Sequence, residues 1–315
     1  MMLFKVHWFM LLLWAGFVFT LLSLYVSGRF GRFLDRANHR SMHQGEVLTG
    51  GGFILFMPLT LLMLWQQQFL LAAMVASLTL LGAVDDVKAL SASLRFSLQV
   101  IITAITLVLL GFQFSLWWLF LCLAMVWWLN LFNFMDGANG LVALQAIVTL
   151  VSLTLMAAFP ANIVLIVACV VISLLIYLYF NMVLKVLFMG DSGSLPLAFV
   201  IAFVSLIALS TGMLNALQIA VMHAVLITDS TLTLAVRGLR GERLSQAHRS
   251  HLYQRLISQQ SEHWPISLAY AAVTLVCCGI AFMMVHLSIW QQWISLLLVY
   301  LSLWLVFVHS RHFGR

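Results

Sequence analysis

Charge is what this sequence has least of. Lys, Arg, Asp and Glu together make up 8% of its 315 residues, whereas 64% of the residues are hydrophobic. A soluble domain carries about 25% charged residues, so this chain has too little polar surface for water to surround it. We therefore exclude a soluble globule and expect a protein whose main solvent is the lipid bilayer.

Cysteine is also scarce, and several catalytic signatures are absent. The four cysteines, Cys122, Cys169, Cys277 and Cys278, lie inside apolar runs without metal-type spacing, which argues against a zinc site and against disulfides. The sequence contains no phosphate-binding GxxxxGK[ST] loop and no GxSxG nucleophile motif, and the glycines at 50–52 lie in no βαβ pattern. These absences exclude the common nucleotide-hydrolysing and serine-hydrolase classes.

Apolar runs of helical length recur along the whole chain. Because unpaired backbone groups are costly in hydrocarbon, such runs are expected to be continuous helices. The spans are expected near 8–27, 52–65, 69–84, 97–111, 114–130, 140–158, 161–180, 195–210, 213–236, 266–286 and 289–309. The sequence thus predicts an all-α, polytopic membrane helix bundle of about 11 transmembrane helices, forming a single domain over 1–315.

The basic residues decide how the second and third runs are interpreted. Only Gln66–Gln68 separate these runs, so one long helix is the alternative to two spans. With two spans, fourteen of the 15 basic residues lie on one side and only Lys5 lies opposite, whereas a single helix would separate Arg29–Arg40 from the others. The positive-inside rule therefore favours eleven spans, with a periplasmic N-terminus and a cytoplasmic C-terminus. The cytoplasmic face also carries the acids and the longer loops, so we expect function there.

The first candidate motif is Asp85-Asp86-Val87-Lys88, at the end of the third span. Adjacent carboxylates repel each other, and next to a low-dielectric region such a pair suits a divalent cation or proton transfer. The alternative is a solvated helix end.

The second candidate is the stretch from Asn130 to Gly140, which contains Asn133, Asp136 and Asn139. Carboxamides donate and accept hydrogen bonds, which suits a nucleobase or a sugar, and glycine permits a ligand to approach the backbone. The alternative is a polar turn that caps a helix.

The third candidate is the segment from Met189 to Ser194, with the sequence MGDSGS, which precedes the eighth span. Small residues at a helix N-terminus can offer free backbone N–H groups to an anion. Asp191 in that setting would serve a phosphate-bound Mg²⁺, which uses few carboxylates. The alternative is an ordinary N-cap.

The fourth candidate is the basic loop 237–265. A loop on the cytoplasmic side is often basic for topological reasons alone, but arginine forks also match phosphate oxygens. Its charged and histidine residues are Arg237, Arg240, Arg243, His248, Arg249, His251 and Arg255. The loop 28–51 adds Arg40, His43 and the glycines at 50–52 on the same terms.

Taken in order, these motifs resemble the polyprenyl-phosphate N-acetylhexosamine-1-phosphate transferases. The resemblance extends from about residue 35 to residue 256 and rests on NHRSMHQG with a following GGG, DDVKALSASLRFSLQ, NLFNFMDGANGL, FMGDSGS and HRSHLYQRL. Within that family the chain looks closest to the branch that initiates O-antigen. Tyr253 and Gln254 stand where many members carry further histidines.

The resemblance implies a role for each matched residue. It places Asp85, Asp86, Asp136 and His251 in catalysis, and Asp191 and Asp86 at a Mg²⁺ site, with Mn²⁺ as an alternative. The expected substrate-binding residues are Lys88, Asn130, Asn133, Asn139, Asn181, Lys185, His248, Arg249, Arg255, Arg40 and His43.

The implied reaction is transfer of an N-acetylhexosamine 1-phosphate from a UDP-sugar to undecaprenyl phosphate, with release of UMP. The expected partners are UDP-N-acetylhexosamine, undecaprenyl phosphate and the bilayer, without nucleic acid; a homodimer is one option for a state that the sequence leaves open. The expected location is the bacterial inner membrane, with the active site facing the cytoplasm.

Two other classes compete with this interpretation. A transporter or flippase of a lipid-linked sugar would place polar residues at the membrane midplane, where the spans offer chiefly Gln218 and His223. A CDP-alcohol phosphotransferase would require a helix motif of several aspartates, which the sequence lacks.

Overall fold

The fold was determined as a computed structural model that describes residues 2–29, 33–36, 46–243, 248–260 and 262–312. The helices are α1 (Met2–Val26), α2 (Gly51–Trp65), α3 (Phe69–Lys88), α4 (Ala92–Leu109), α5 (Leu116–Phe134), α6 (Leu141–Met156), α7 (Ala161–Leu178), α8 (Asp191–Ser210), α9 (Ala216–Met222), α10 (Ala224–Leu239), α11 (Leu252–Gln260), α12 (Trp264–Met283) and α13 (Ile289–His312). A π-helical turn, Tyr179–Val183, follows α7, and a 3₁₀ turn, Met284–His286, follows α12.

The helices confirm the all-α membrane architecture. Among the described residues, eight helices are long and apolar enough to cross a membrane, or nine if α9 and α10, which are bent by 75° relative to each other, form one span. The apolar helices α2 and α6 are shorter, with 15 and 16 residues. Each expected span coincides with one of these helices or with the bent pair, while the count of eleven crossings and their orientation remain predictions.

The break at Gln66–Gln68 separates two helices, so the single long helix considered for this region is wrong. Gln67 adopts a left-handed conformation with φ of 59°, which ends α2 before α3 begins. The start of α2 and the end of α3 both meet the N-terminus of α8, at Gly193 and Asp191. The two helices therefore form an antiparallel hairpin.

Helix α8 lies at the centre of the bundle, and 89% of its membrane-spanning stretch is buried inside the protein. A Cβ atom added to Gly82 would lie 2.2 Å from the Asp191 carbonyl oxygen, and one added to Gly52 would lie 2.1 Å from Gly193 Cα. Neither position has room for a side chain. These glycines let α2 and α3 approach α8 backbone to backbone, which brings the end of α3 against Asp191.

A short ribbon departs from the expected all-helical structure. Strands β1 (Phe33–Arg36) and β2 (Glu46–Thr49) pair antiparallel, with Phe33 opposite Thr49. Next to β2, the Phe188 N–H donates to the Leu48 carbonyl over 2.7 Å, which ties the first loop to the segment before α8. The predicted substrate-binding residues Arg40 and His43 lie outside the described residues.

The two polar residues expected of a transporter have structural contacts. Gln218 closes a capping box with Asn215 at the start of α9, and its Nε2 donates to the Ala281 carbonyl over 3.2 Å. His223, at the break between α9 and α10, has its Nε2 3.3 Å from Ser205 Oγ and its ring centre 4.4 Å from that of Trp128, with the two rings tilted by 40°. Capping accounts for Gln218, and His223 packs within the bundle with its Nδ1 unpartnered among the described residues. Neither residue lines a described cavity, so they do not support the transport interpretation.

Candidate active site

Four carboxylates gather at one end of the bundle, from three parts of the chain. Asp85 and Asp86 end α3, Asp136 lies in the turn between α5 and α6, and Asp191 begins α8. Burial raises the pKa of Asp136 well above its usual value, and the nearby charges of Asp191 and Asp86 raise it further. The structure therefore brings together the acids that three separate motifs predicted.

Asp86 holds the N-terminus of α8. Its Oδ1 accepts from the Asp191 N–H over 2.9 Å and its Oδ2 from the Ser192 N–H over 3.2 Å. Gly190 makes this approach possible, because its φ is 72° and a Cβ atom there would lie 2.7 Å from Asp86 Oδ2. A carboxylate at this position satisfies two N–H groups and complements the helix dipole.

The predicted anion site made of free backbone N–H groups at the start of α8 is therefore wrong. Asp86 takes the first two N–H groups, and those of Gly193 and Ser194 both donate to the Gly190 carbonyl over 3.0 Å. What this helix start offers to a ligand is the Asp191 side chain.

Asp85 pairs with a cation from the next helix. Arg95 Nη1 lies 2.7 Å from Asp85 Oδ2 and 3.6 Å from Asp191 Oδ2, and the Leu90 N–H donates to Asp85 Oδ1 over 2.6 Å. Lys88, which was predicted to bind substrate, is exposed at the end of α3 and pairs with none of the described acids. Arg95 thus links Asp85 to Asp191.

Two predicted substrate-binding asparagines connect helices at this end. Asn133 Nδ2 donates to Ser194 Oγ over 2.9 Å, which joins α5 to α8 beside Asp191. Asn130 Nδ2 donates to Gln99 Oε1 over 2.6 Å and to the Val126 carbonyl over 2.8 Å. Asn133 borders the carboxylates, whereas the Asn130 amide is engaged with α4.

The other two asparagines are buried. Asn181 accepts from the Gly140 N–H over 2.6 Å and donates to the Leu187 carbonyl over 2.8 Å, so both ends of its amide hold backbone segments. Asn139 is fixed through its backbone, and its side-chain Oδ1 has no hydrogen-bond partner among the described residues. Asn181 positions the turn that carries Asp136, whereas Asn139 keeps an open acceptor.

The resemblance implies Mg²⁺, and the carboxylates at this end of the bundle offer it few protein ligands. Within the described ranges, no group of three or more His, Cys, Asp or Glu residues is arranged to hold a metal ion. Mg²⁺ does not require such a cage, since it is usually held by one or two carboxylates, waters and substrate phosphates. Asp191, with a side chain 27% exposed, and Asp136, whose carboxylate has no hydrogen bond to a described residue, meet that requirement. Both oxygens of Asp86, the other predicted ligand, accept backbone hydrogen bonds.

Residues 248–255, which contain His248 and His251, form the histidine segment. This segment is anchored by a buried acid that the sequence motifs did not single out. Asp229 on α10 accepts from the N–H groups of Leu252 and Tyr253, over 2.7 and 3.2 Å. It also accepts from Tyr270 Oη over 2.7 Å and from Thr233 Oγ1 over 3.2 Å. Asp229 therefore fixes the start of α11.

His251 is buried in this segment. Its Nδ1 lies 3.7 Å from Asp229 Oδ1, and its ring packs near Tyr253 and His248. Tyr253 Oη donates to the Phe134 carbonyl over 3.2 Å, so the segment contacts the turn that carries Asp136. Burial, together with the charges of His251 and Arg237, lowers the pKa of His248 to about 4.

The remaining predicted basic residues lie farther from the carboxylates along the same end. Lys185 pairs with Glu262 at 3.1 Å, with both side chains more than half exposed. Arg249 and Arg255 line a cavity together with Arg240 and Arg311. None of the ion pairs found among the described residues joins Lys185, Arg249 or Arg255 to the four aspartates.

Arg95 and Asp229 are the residues that sequence reasoning missed. Arg95 lies ten positions after Asp85, across the short turn between α3 and α4, and that spacing alone places both at one end of a helical hairpin. Asp229 is an acid within an apolar span, which is by itself a signal of function or of a specific partner. The spacing of Arg95 and the apolar surroundings of Asp229 were both visible in the sequence. Neither of them predicts that Arg95 pairs with Asp85 or that Asp229 binds the start of α11.

Comparison with known proteins gives matches over much of the chain. The family model described as "Glycosyl transferase family 4" matches residues 68–209, which include Asp85, Asp136 and Asp191. The "Probable undecaprenyl-phosphate N-acetylglucosaminyl 1-phosphate transferase" of Bacillus subtilis (strain 168) is 25% identical over 300 residues, covering 87% of this chain and 81% of that protein. The "Undecaprenyl-phosphate alpha-N-acetylglucosaminyl 1-phosphate transferase" of Escherichia coli (strain K12) is 26% identical over 219 residues, which is 60% of each chain.

Proposed function

The matched family model and relatives support the polyprenyl-phosphate N-acetylhexosamine-1-phosphate transferase family for this chain, and on that premise we propose that it transfers a sugar 1-phosphate to undecaprenyl phosphate. The sugar 1-phosphate comes from a UDP-N-acetylhexosamine. An oxygen of the lipid phosphate attacks the β-phosphorus of the UDP-sugar, the bond from that phosphorus to the bridging oxygen breaks, and UMP leaves. The product is a sugar linked to undecaprenol through a diphosphate.

The observation that carries this proposal is the carboxylate cluster at the end of a lipid-embedded bundle. Asp85, Asp86, Asp136 and Asp191 converge where the apolar helices end, so a phosphate anchored in the bilayer and a soluble nucleotide can meet there. Two anionic substrates require positive charge between them, which Arg95 supplies in part from its position between Asp85 and Asp191.

The same arrangement assigns roles to the side chains. Asp191 and Asp136 would hold Mg²⁺, and when bound this ion neutralises phosphate charge and polarises the phosphorus under attack. Asp86 keeps Asp191 in place through the α8 backbone, and Asp85 orients Arg95. Asp136 can contribute its carboxylate to this site because no hydrogen bond to a described residue holds it elsewhere.

The direct transfer is favoured over a covalent aspartyl intermediate by the contacts of Asp85 and Asp86. Every carboxylate oxygen of this pair accepts a hydrogen bond from Leu90, Arg95, Asp191 or Ser192. A carboxylate that attacked phosphorus would have to give up at least one of these bonds. If Asp85 and Asp86 only position their neighbours, all of these hydrogen bonds stay in place during the reaction.

The experiment is an assay of purified protein with undecaprenyl phosphate, Mg²⁺ and a panel of UDP-N-acetylhexosamines, with UMP as the measured product. We expect one UDP-sugar to give UMP in amounts equal to the lipid-linked sugar, and chelation of divalent ions to stop both. Sugar-bearing lipid formed without UMP, or UMP formed without lipid, would contradict the proposal. The panel also tests the proposed place in O-antigen biosynthesis, because the preferred sugar must then be one that begins such a chain.

We place the site at the cytoplasmic face of the inner membrane because of the distribution of the basic residues. The native cysteines are all buried, so single exposed cysteines can report on each side. In intact cells we expect Ser258→Cys, in the basic loop, to resist an impermeant thiol reagent, and Ser115→Cys, at the opposite end, to react. The reverse pattern would contradict this orientation. Size measurement in detergent would test a homodimer separately.

A further inference from the structure

A cavity of about 500 Å³ lies beside the histidine segment, where α10, the start of α11 and the end of α13 meet. Its lining is strongly basic and contains no acid among the described residues. The arginines are Arg240, Arg249, Arg255 and Arg311, and the other lining residues are Val236, Ser250, Phe307 and Val308.

Arg240, Arg255 and Arg311 form no ion pair with a described acid, although the charge of Glu242 reaches Arg240 and Arg311. Glu242 forms an ion pair with Arg237, whose Nε lies 2.8 Å from its carboxylate. Arg311 donates to the Ser250 carbonyl over 3.0 Å and lies 4.4 Å from the centre of the Phe307 ring, but its buried Nε has no partner among the described residues. Close guanidinium groups repel one another, so an anion in the cavity would relieve that repulsion.

One wall of the cavity continues onto a surface that faces lipid. Val308 also lines an adjoining shallow groove of about 510 Å³ along α13, formed with Leu305, Val306, His309 and Ser310. Leu305 and Val306 are more than half exposed, and α13 is only 11% buried within the bundle, the lowest value among the candidate spans. The basic cavity thus adjoins an apolar groove along a helix of membrane-spanning length.

We propose that this cavity and groove bind one anionic phospholipid, with the phosphate among the arginines and an acyl chain along α13. Arginine forks match phosphate oxygens, and the apolar groove gives the chain a place that a soluble nucleotide does not need. The site is separate from the four aspartates, so it goes beyond the proposed reaction. Because Ser250 and Arg255 flank His251, occupancy also restrains the histidine segment.

The experiment is native mass spectrometry of the full chain in detergent, titrated separately with phosphatidylglycerol, phosphatidylcholine, undecaprenyl phosphate and inorganic phosphate. We expect one tight phosphatidylglycerol per chain and much weaker phosphatidylcholine. Arg240→Gln and Arg311→Gln should each weaken phosphatidylglycerol binding about fivefold, from the typical contribution of one basic residue at an anionic membrane surface, and the double variant should bind more weakly than either. Arg29→Gln, which removes an exposed arginine outside the cavity, should leave binding unchanged.

The conservative variant Arg240→Lys keeps the charge and should retain most of the binding, which separates a charge effect from misfolding. Equal weakening by Arg29→Gln would overturn the proposal, since it would show a diffuse effect of net charge. Inorganic phosphate that binds as tightly as the phospholipid would overturn the role of the groove. Displacement of phosphatidylglycerol by equimolar undecaprenyl phosphate would reassign the cavity to the acceptor substrate, independently of whether UMP is released in the transfer assay.

Discussion

The acidic and the basic regions of this protein lie at the same end of the bundle but are built differently. The carboxylates of Asp85 and Asp86 are fixed by hydrogen bonds from backbone N–H groups and Arg95, on helices packed against the buried α8. Arg240 and Arg255 line an open cavity, and no hydrogen bond joins either guanidinium group to the rest of the described chain. Fixed groups suit a reaction that needs alignment, and adjustable groups suit binding. We therefore expect variants of the acidic region to lower kcat and variants of the basic region to weaken the binding of anionic phospholipid.

The largest expected effect comes from Asp191→Asn. Loss of one anionic ligand from the metal and phosphate site should remove about 4 kcal/mol of transition-state stabilisation, or roughly 1,000-fold in kcat. Glu262→Gln, which removes an exposed acid paired with Lys185, is the matched control and should stay close to wild type. Near-normal transfer by Asp191→Asn with unchanged Mg²⁺ dependence would remove Asp191 from the site.

Asp86→Asn and Asp85→Asn should both lower kcat, by different factors. Asp86 fixes the N-terminus of α8 through two N–H groups, and its loss should approach the effect of Asp191→Asn. Asp85 orients Arg95, so its loss should cost the value of a charged hydrogen bond, about 1.5–3 kcal/mol or roughly 10–150-fold in kcat.

A double-mutant cycle of Asp85→Asn with Arg95→Gln sharpens that prediction. If the two residues act as one unit, the double variant should be hardly slower than the slower single variant. Fully additive effects on kcat would show that Asp85 and Arg95 act independently, contrary to the 2.7 Å contact between them.

Asp229→Asn should have a smaller effect, concentrated on substrate binding. The change weakens the bonds to Leu252, Tyr253 and Tyr270 that fix the start of α11. Tyr253, which contacts the turn that carries Asp136, would then be held less firmly. We expect KM for the UDP-sugar to rise about tenfold, which corresponds to the net value of one hydrogen bond of about 1.4 kcal/mol, with a smaller change in kcat. Faster hydrogen exchange at Leu252–Gln260 should accompany it. An unchanged exchange rate there would contradict the anchoring role.

The smallest effect concerns pH and His248, whose pKa is lowered to about 4 from a usual 6.5. The ring is neutral in the folded segment, while the unfolded segment binds a proton more readily. The resulting stabilisation is fully present above pH 6.5 and is lost as the pH falls towards 4. After correction for intrinsic exchange rates, amides of Leu252–Gln260 should be less protected at pH 5 than at pH 7.5, and His248→Gln should abolish that difference.

Much of the bundle could be predicted from the sequence, because lipid leaves the backbone few choices. Each apolar run coincides with a helix or, at 213–236, with the bent pair α9 and α10. The charge argument correctly separates α2 from α3, and the left-handed Gln67 ends α2. The ribbon formed by β1 and β2 was not predicted. It lies in a polar loop where no alternation of hydrophobic residues marks a strand. Leu187, which forms a bridge with Leu48 of β2, is far away in the sequence.

The carboxylates of the site could be predicted, but their partners could not. Motif chemistry pointed to Asp85, Asp86, Asp136 and Asp191, and these acids do converge. That Asp85 pairs with Arg95 rather than Lys88 depends on the turn between α3 and α4. That Asp86 takes the N–H groups of α8 depends on the close approach allowed by Gly82 and Gly190. Side-chain direction over a few ångströms is set by packing, which composition and spacing do not encode.

The most direct test of the account follows the β-phosphorus of the donor. Purified protein is given undecaprenyl phosphate, Mg²⁺ and a UDP-N-acetylhexosamine labelled with ³²P at the β position, and the products are separated. We expect the label to move to the lipid, in amounts equal to unlabelled UMP, and Asp191→Asn to abolish the transfer. Label that remains in UDP while the sugar moves to the lipid would contradict it, because the protein would then transfer a sugar without its phosphate.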